Sequence, residues 1–252
     1  MRSLSLAAGG TLFTFAMTAL GAAAVFFFRR QISESTNRLC FGFAGGVMSA
    51  AAVFSLIIPA VEQARLFGGV PWLTAAGGFM AGAGMMILLD VWIAHRQAQL
   101  NDDVRRRTML FAAVTLHNIP EGMAVGLAFA MAAGAPGAAL AAAAAMALGI
   151  GIQNIPEGAA IALPLRQGGF SRWRSFAIGA VSGAVEPVFG VLAALAISLA
   201  QPVMPWLMAF SAGAMLWVVF SEMLPESGVQ RDGALAAAMG YVIMMALDIA
   251  LG

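Results

Sequence analysis

One polar motif occurs twice in this chain. LHNIPEGMAVG runs from Leu116 to Gly126, and IQNIPEGAAIA follows thirty-six residues on, from Ile152 to Ala162, both inside strongly apolar stretches. His117 and Glu121 are four apart and so stack on one face of a helix, with Asn118 beside them; Gln153, Asn154 and Glu157 repeat the same offsets. An imidazole, carboxylates and amide oxygens gathered at one point are the donors of a divalent-cation site of mixed N and O character, without thiolate. Pro120 and Pro156 have no N–H, so the carbonyls of Leu116 and Ile152 lose their helical partners. A kink is expected in each helix, opening a water-filled cavity beside the carboxylates, because broken backbone at membrane depth is tolerated only where it is buried in protein or lines such a cavity.

The elements that carry these residues must cross a membrane. The chain has 252 residues, 61% hydrophobic and 10% charged, where soluble domains carry about 25% charged residues. Its mean hydropathy is +0.89. Apolar runs long enough for a bilayer of roughly 30 Å fall at 5–28, 39–61, 70–94, 108–133, 137–164, 175–199, 203–224 and 233–251. The expected fold is all-α, a polytopic membrane protein with eight transmembrane helices in a single domain over 1–252. The first run is too long for a signal peptide, lacks a polar cleavage region and ends at FFFRR, which reads as a membrane exit. Cys40 is the only cysteine, so no intrachain disulfide forms.

The net charge of +1 says little, but the thirteen arginines are informative because there is no lysine. Arg29, Arg30 and Arg38 follow span 1, Arg96 and Arg105 to Arg107 follow span 3, Arg166, Arg172 and Arg174 follow span 5, and Arg231 follows span 7. Only Arg2 and Arg65 lie on the other side. The positive-inside rule then makes the odd-numbered loops cytoplasmic and puts both termini on the extracytoplasmic side of the cell inner membrane. Nothing in this distribution points to nucleic acid; the lipid bilayer is the partner it describes.

Counted inward from these arginines, the polar groups share one depth. His117 and Glu121 are ten and fourteen residues from Arg107, Glu157 and Gln153 nine and thirteen from Arg166, Glu186 twelve from Arg174, and Met48 ten from Arg38. At about 1.5 Å per residue, the NIPEG groups lie roughly 13–21 Å from the cytoplasmic edge. A charge at that depth costs about 2.5–3.5 kcal/mol, so Glu121, Glu157 and Glu186 together oppose insertion by about 8–10 kcal/mol. No arginine reaches them, which leaves protonation, water or a divalent cation. Taken singly, each amide or imidazole reads as interhelical hydrogen bonding, Met48 as packing, and Glu186, next to Pro187, as a protonated acid. Two verbatim repeats beside His117 favour the cation.

FSLIIP, Phe54 to Pro59, resembles FSEMLP, Phe220 to Pro225, at an offset of 166; GAGMMILLD, Gly82 to Asp90, resembles GYVIMMALD, Gly240 to Asp248, at 158. The paired spans run in opposite directions, so the repeat is inverted: helices 1–3 and 6–8 flank helices 4–5. Inverted repeats recur in secondary transporters, with substrate bound near the midplane. The spacings Gly42/Gly46, Gly78/Gly82, Gly122/Gly126 and Gly179/Gly183 read as close helix packing.

On HNIPEG, QNIPEG and the glutamate of SGAVEP, the chain resembles the ZIP (Zrt/Irt-like protein) family of divalent metal transporters, in particular its bacterial GufA-type branch, over essentially its whole length. The resemblance implies transport of Zn²⁺ or a similar ion toward the cytoplasm through a binuclear metal site. One half would comprise His117, Glu121, Gln153 and Glu157, with Met48 near; the other would comprise Asn118, Glu121, Asn154, Glu157 and Glu186, the glutamates bridging. It also implies a homodimer and an elevator-like motion of helices 1, 4, 5 and 6 against 2, 3, 7 and 8. Some relatives carry aspartate or histidine where this chain has Asn154, which leaves its second half with one fewer charge or a weaker donor. The loop after span 3 holds only His95, with Asp102 and Asp103 among arginines, so metal sensing there does not carry over. Glu62 and Asp248, at the outer mouth, read either as an entrance that attracts cations or as ordinary solvated helix ends.

Mixed N and O donors suit Zn²⁺, and also Fe²⁺, Mn²⁺, Co²⁺ or Cd²⁺, as transported substrate. Two other readings stay open on the residues alone. A proton-coupled carrier of an organic solute would use the glutamates as a relay, but no intramembrane cation is present to hold an anionic solute. An intramembrane metalloenzyme would want a motif such as HExxH, which is absent, so the chain is expected not to be an enzyme.

Overall fold

The computed structural model describes residues 2–27, 34–96, 102–134, 137–227 and 231–251, and among them every regular element is helical. The elements are α1 (Arg2–Ala22), α2 (Glu34–Ala51), α3 (Ile58–Leu66), α4 (Pro71–Arg96), α5 (Asp102–Ala132), α6 (Ala138–Gln167), α7 (Arg172–Gly183), α8 (Val185–Leu195), α9 (Ile197–Val218), α10 (Leu224–Ser227) and α11 (Arg231–Leu251). Among the described residues, seven rods are long and apolar enough to cross a membrane: Arg2–Phe26, Arg38–Leu66, Pro71–Trp92, Ala138–Gln167, Arg172–Leu195, Leu199–Met223 and Arg231–Ala250. The eighth expected span is α5, whose 31 residues give ample length, at about 1.5 Å each. Its middle carries His117, Asn118, Pro120 and Glu121 and its start carries Asp102, Asp103 and Arg105 to Arg107, whereas the matching polar stretch of α6 is preceded by a long run of alanines.

Several arginines assigned to loops stand on helix ends instead. Backbone helix α5 begins at Asp102, so Asp102, Asp103 and Arg105 to Arg107 belong to its first turns. Arg38 lies in α2, Arg166 in the last turn of α6, and Arg172, Arg174 and Arg231 at the starts of α7 and α11. Helices of 30 and 31 residues exceed the hydrocarbon thickness, so their charged ends extend into the headgroup layer. Arg29 and Arg30 lie outside the described residues.

The helices sort into two bundles. In the first, α1 runs through the middle and packs on α5, α6, α7 and α8; in the second, α2 pairs with α11 and α4 with α9, with α3 bridging α4 and α9. These are the groupings expected for helices 1, 4, 5 and 6 against 2, 3, 7 and 8. The four glycine pairs of the sequence mark the tight crossings. A methyl group on Gly42 or Gly46 would strike α11, on Gly78 or Gly82 α9, on Gly122 or Gly126 α8, and on Gly183 Thr18 of α1. Without side chains at these points, the backbones approach closely enough to gain dispersion contact, the main attraction between helices in lipid.

The seam between the bundles is formed chiefly by α5 against α9, with smaller contacts between α2 and α6. Its apolar core includes Met48, Met86, Met109, Met204, Met208, Met215 and Met223. Two apolar grooves open on the seam. One of about 480 Å³ lies between α1, α2 and α6 beside Pro156, and one of about 500 Å³ between α5, α8 and α9 beside Pro120.

The repeated FS-x-x-x-P segments both form π-helical turns, Ala52–Ile57 and Val219–Met223. In the first, Ile58 N–H donates to Val53 O; in the second, Leu224 N–H donates to Val219 O, the same wide bond 166 residues apart. Pro59 and Pro225 are separated from their turns by one residue each, Ile58 and Leu224. A proline cannot donate to the carbonyl four residues back, and the wider turn rebuilds the ladder around that gap. The sequence repeat thus reappears as a backbone repeat.

Candidate metal centre

Helices α5 and α6 run unbroken through Pro120 and Pro156. The carbonyl freed by Pro120 is not left to water: Ser211 Oγ of α9 donates to Leu116 O at 3.2 Å. Neighbouring helices that re-satisfy a freed carbonyl let proline sit inside a membrane helix. The prolines border the two seam grooves, whose walls are apolar, rather than a water-filled cavity. The polar face of each NIPEG segment turns inward, where His117, Asn118, Glu121, Gln153, Asn154 and Glu157 are all buried at 0–2% exposure.

His117 Nε2 lies 2.9 Å from Glu121 Oε1 and 3.2 Å from Glu157 Oε1. Ligand atoms held at 2.0–2.1 Å around a tetrahedral zinc ion stand about 3.3 Å apart, close to both distances measured from His117 Nε2. Glu121, His117 and Glu157 can each offer one ligand atom, all within 4.8 Å of one another. Gln153 joins them by donating from Nε2 to Glu121 Oε1, while its Oε1 accepts from Ser55 Oγ at 3.2 Å. Met48, fully buried on α2, belongs to the apolar core of the seam.

The second group forms around Glu186. The expected sixth span is interrupted at Ala184, where α7 ends and α8 begins, and Ala184 N–H donates to Val181 O in a tightened turn. Pro187 falls in the first turn of α8, where an N–H has no intrahelical partner anyway, so the helix restarts there at little cost. Glu186 therefore stands in the first turn of a half-helix inside the bundle, where the exposed N–H groups and the helix dipole favour a carboxylate. Its Oε1 accepts from Asn154 Nδ2 at 3.0 Å and from Thr18 Oγ1 at 3.1 Å. Asn154 Nδ2 also lies 3.2 Å from Thr14 O. Asn118 Nδ2 donates to Ser182 O at 2.9 Å, two residues before the break at Ala184.

The glycine of each NIPEG joins the two groups. A methyl at Gly122 would strike the Glu186 backbone, and one at Gly158 would strike Thr18 O. Small residues at these positions let α8 and α1 approach until Glu186 comes close to the buried polar groups of α5 and α6.

Asp248 lies further in than a solvated helix end. Ser55 Oγ is 2.8 Å from Asp248 Oδ1 and 3.2 Å from Gln153 Oε1, so a polar chain connects α11 to the first group through the π turn of α2. Glu62, by contrast, is exposed on α3. Ser55, Thr14, Thr18 and Ser182 escaped sequence reasoning, since hydroxyls in apolar helices ordinarily bond their own backbone. The one available signal was the repeated serine of FSLIIP and FSEMLP.

What unites these groups is a surplus of acceptors. Asn118 Oδ1, Glu121 Oε2, Asn154 Oδ1, Glu157 Oε2 and Glu186 Oε2 are buried without hydrogen-bond partners, as is His117 Nδ1. Leaving one buried polar atom unpaired costs about 1–3 kcal/mol, more when it is charged. Several orphaned oxygens buried on neighbouring turns of α5, α6 and α8 therefore fit a cation as the missing partner.

Comparison with known proteins agrees with this geometry. Residues 95–248 match the family model described as ZIP Zinc transporter. Similar proteins include zinc transporter ZIP11 of Xenopus tropicalis, 35% identical over 96% of both chains, and zinc transporter GufA of Myxococcus xanthus, 36% identical over 88% of this chain and 90% of that one. Zinc transporter ZIPB of Bordetella bronchiseptica is 36% identical over 94% of this chain and 79% of its own. The match over more than half the chain, with relatives aligned almost end to end, shows that this protein belongs to the ZIP zinc transporter family.

Proposed function

We propose that this chain carries Zn²⁺ across the inner membrane toward the cytoplasm, through two adjoining ion positions between α5, α6 and α8. As a ZIP-family member the protein is a multi-pass transporter of divalent metal ions, not an enzyme. The observation that carries the site assignment is the set of buried oxygens on Asn118, Glu121, Asn154, Glu157 and Glu186 that lack donors.

The first position takes His117, Glu121, Gln153 and Glu157, with the Met48 thioether near. The second takes Asn118, Glu121, Asn154, Glu157 and Glu186, with Glu121 and Glu157 bridging through their free Oε2 atoms. Turning over the Gln153 amide would aim Oε1 at the ion and Nε2 at Ser55, whose hydroxyl then donates to Asp248. Asp248 and, further out, Glu62 form the entrance. Cd²⁺, Fe²⁺, Mn²⁺ and Co²⁺ suit the same donors. A negative-inside potential favours import by about 2.3 kcal/mol per charge per 100 mV.

All eight long rods span the bilayer as one transporter domain over 1–252, with both termini outside and two copies forming a homodimer. The α1, α5, α6, α7 and α8 bundle is the part that carries the ion, and it moves against the other bundle along the methionine-rich seam.

Uptake into proteoliposomes tests this reading. Purified wild type should accumulate Zn²⁺ and Glu157→Ala should not. Equal uptake by both would remove the ion from this site.

A further inference from the structure

Helix α1 carries none of the proposed ligand residues, yet it supplies a row of fully buried hydroxyls. Thr11, Thr14 and Thr18 have no exposed surface. Thr11 and Thr14 bond backward, as helical threonines usually do, to Ala7 O at 2.8 Å and Thr11 O at 3.0 Å, and Thr14 also stands close to the Glu186 carboxyl. Thr18 differs. Its contact with Thr14 O is long, 3.3 Å, while Glu186 Oε1 stands nearer at 3.1 Å. A hydroxyl has one proton to give, and a carboxylate is the stronger acceptor.

The packing around Thr18 is built to hold it there. Gly183, just before the α7–α8 break, has space for no side chain because a methyl would lie 2.8 Å from Thr18 Cβ and Oγ1. Gly158, of the second NIPEG, faces the Thr18 carbonyl in the same way. Thr18 thus sits between the helix that bears Asn154 and Glu157 and the half-helix that bears Glu186. From this position it meets one carboxylate oxygen, and Asn154 Nδ2 meets the same oxygen at 3.0 Å. With Oε1 held by two donors, Oε2 is the atom left without a partner.

The geometry points to Thr18 as a positioning residue: its hydroxyl fixes Glu186 so that the carboxylate meets the cargo ion through Oε2 alone. This rests on the assignment of Glu186 to the ion site. A single-oxygen ligand held by second-layer donors leaves the other oxygen unable to chelate, which favours small four-coordinate ions over larger ones that accept two-oxygen ligation. The second layer of a metal site typically changes affinity by roughly 10–100-fold.

Equilibrium binding of Zn²⁺ and Cd²⁺ to purified full-length protein in lipid nanodiscs tests the inference. The proteins compared are wild type, Thr18→Val, Thr18→Ser, Glu186→Gln, and the double variant Thr18→Val with Glu186→Gln. Valine keeps the shape that fills the Gly183 notch and removes the hydroxyl; serine keeps the hydroxyl. Thr18→Val should weaken Zn²⁺ binding at the Glu186 position by about tenfold or more, and Cd²⁺ binding by less. Thr18→Ser should bind within about threefold of wild type, and the double variant should be no weaker than Glu186→Gln alone. Wild-type affinity in Thr18→Val, or an effect that adds fully to that of Glu186→Gln, would overturn the inference and leave the site assignment standing. Wild-type binding in Glu186→Gln would overturn both.

Discussion

At the scale of residues, the protein gathers acceptors faster than donors, and its function follows from that imbalance. His117 Nε2 faces two carboxylates with one proton at most to offer, and five further oxygens have no donor. Glu121→Ala and Glu157→Ala should each abolish Zn²⁺ uptake while the protein stays folded in the membrane, because each removes a ligand without emptying a large part of the core; unaltered flux in either, measured in proteoliposomes, would contradict the assignment. Asn154→Asp should raise affinity at the Glu186 position and slow release, as a second carboxylate replaces an amide there; isothermal titration showing unchanged stoichiometry and affinity would exclude Asn154 as a ligand. The buried polar cluster was legible in the sequence, since a charge that costs several kcal/mol at the membrane centre demands a reason and two identical motifs at one depth supply a common one. The supporting hydroxyls were not legible. Thr18 and Ser55 look like any other helical Thr or Ser until the tertiary fold brings Glu186 and Asp248 to them.

At the scale of elements, the recurring problem is how to interrupt a helix in lipid without stranding its backbone. The chain uses three solutions. Pro120 is kept inside a continuous helix because Ser211 takes up the freed Leu116 carbonyl. Pro59 and Pro225 are preceded by π turns that widen the ladder. Pro187 starts a new half-helix, which gives Glu186 an N-terminal turn to sit in. Proline in the sequence announces that a carbonyl loses its partner, and so kinks at Pro120 and Pro156 were the expectation; which of the three solutions applies depends on what the neighbouring helix offers. The same neighbours explain the glycines. Gly122→Ala should lower thermal stability by about 1–3 kcal/mol or more, because its new methyl meets the Glu186 backbone. Gly84→Ala, which meets nothing within 4 Å, should leave stability unchanged or raise it by up to about 1 kcal/mol through helix propensity. Thermal unfolding in detergent that ranks the two variants the other way would contradict this packing.

At the scale of the whole molecule, two tightly packed bundles meet along a looser seam. Within each bundle, backbones touch at glycine notches; the apolar core that spans the two bundles includes buried methionines, flexible side chains that can repack as surfaces slide. Spin labels placed on α2 and α11, inside one bundle, should keep their separation when Zn²⁺ binds, whereas labels on α1 and α11, one in each bundle, should change theirs; equal behaviour of the two pairs in pulsed electron resonance would contradict sliding. The repeat of α2 and α9 was visible in the sequence because FS-x-x-x-P imposes the same backbone gap twice. The bundle partition was not visible in composition or spacing, since glycine notches name no partner.

In the proposed site the cargo ion rests between His117, Glu121 and Glu157. A crystal of the Zn²⁺-loaded protein, with anomalous scattering collected on both sides of the zinc absorption edge, would locate it. The expected peak lies about 2.0–2.2 Å from His117 Nε2 and from a carboxylate oxygen of each glutamate, and is lost in Glu121→Ala. A peak elsewhere in the bundle, or one that persists in Glu121→Ala, would contradict it.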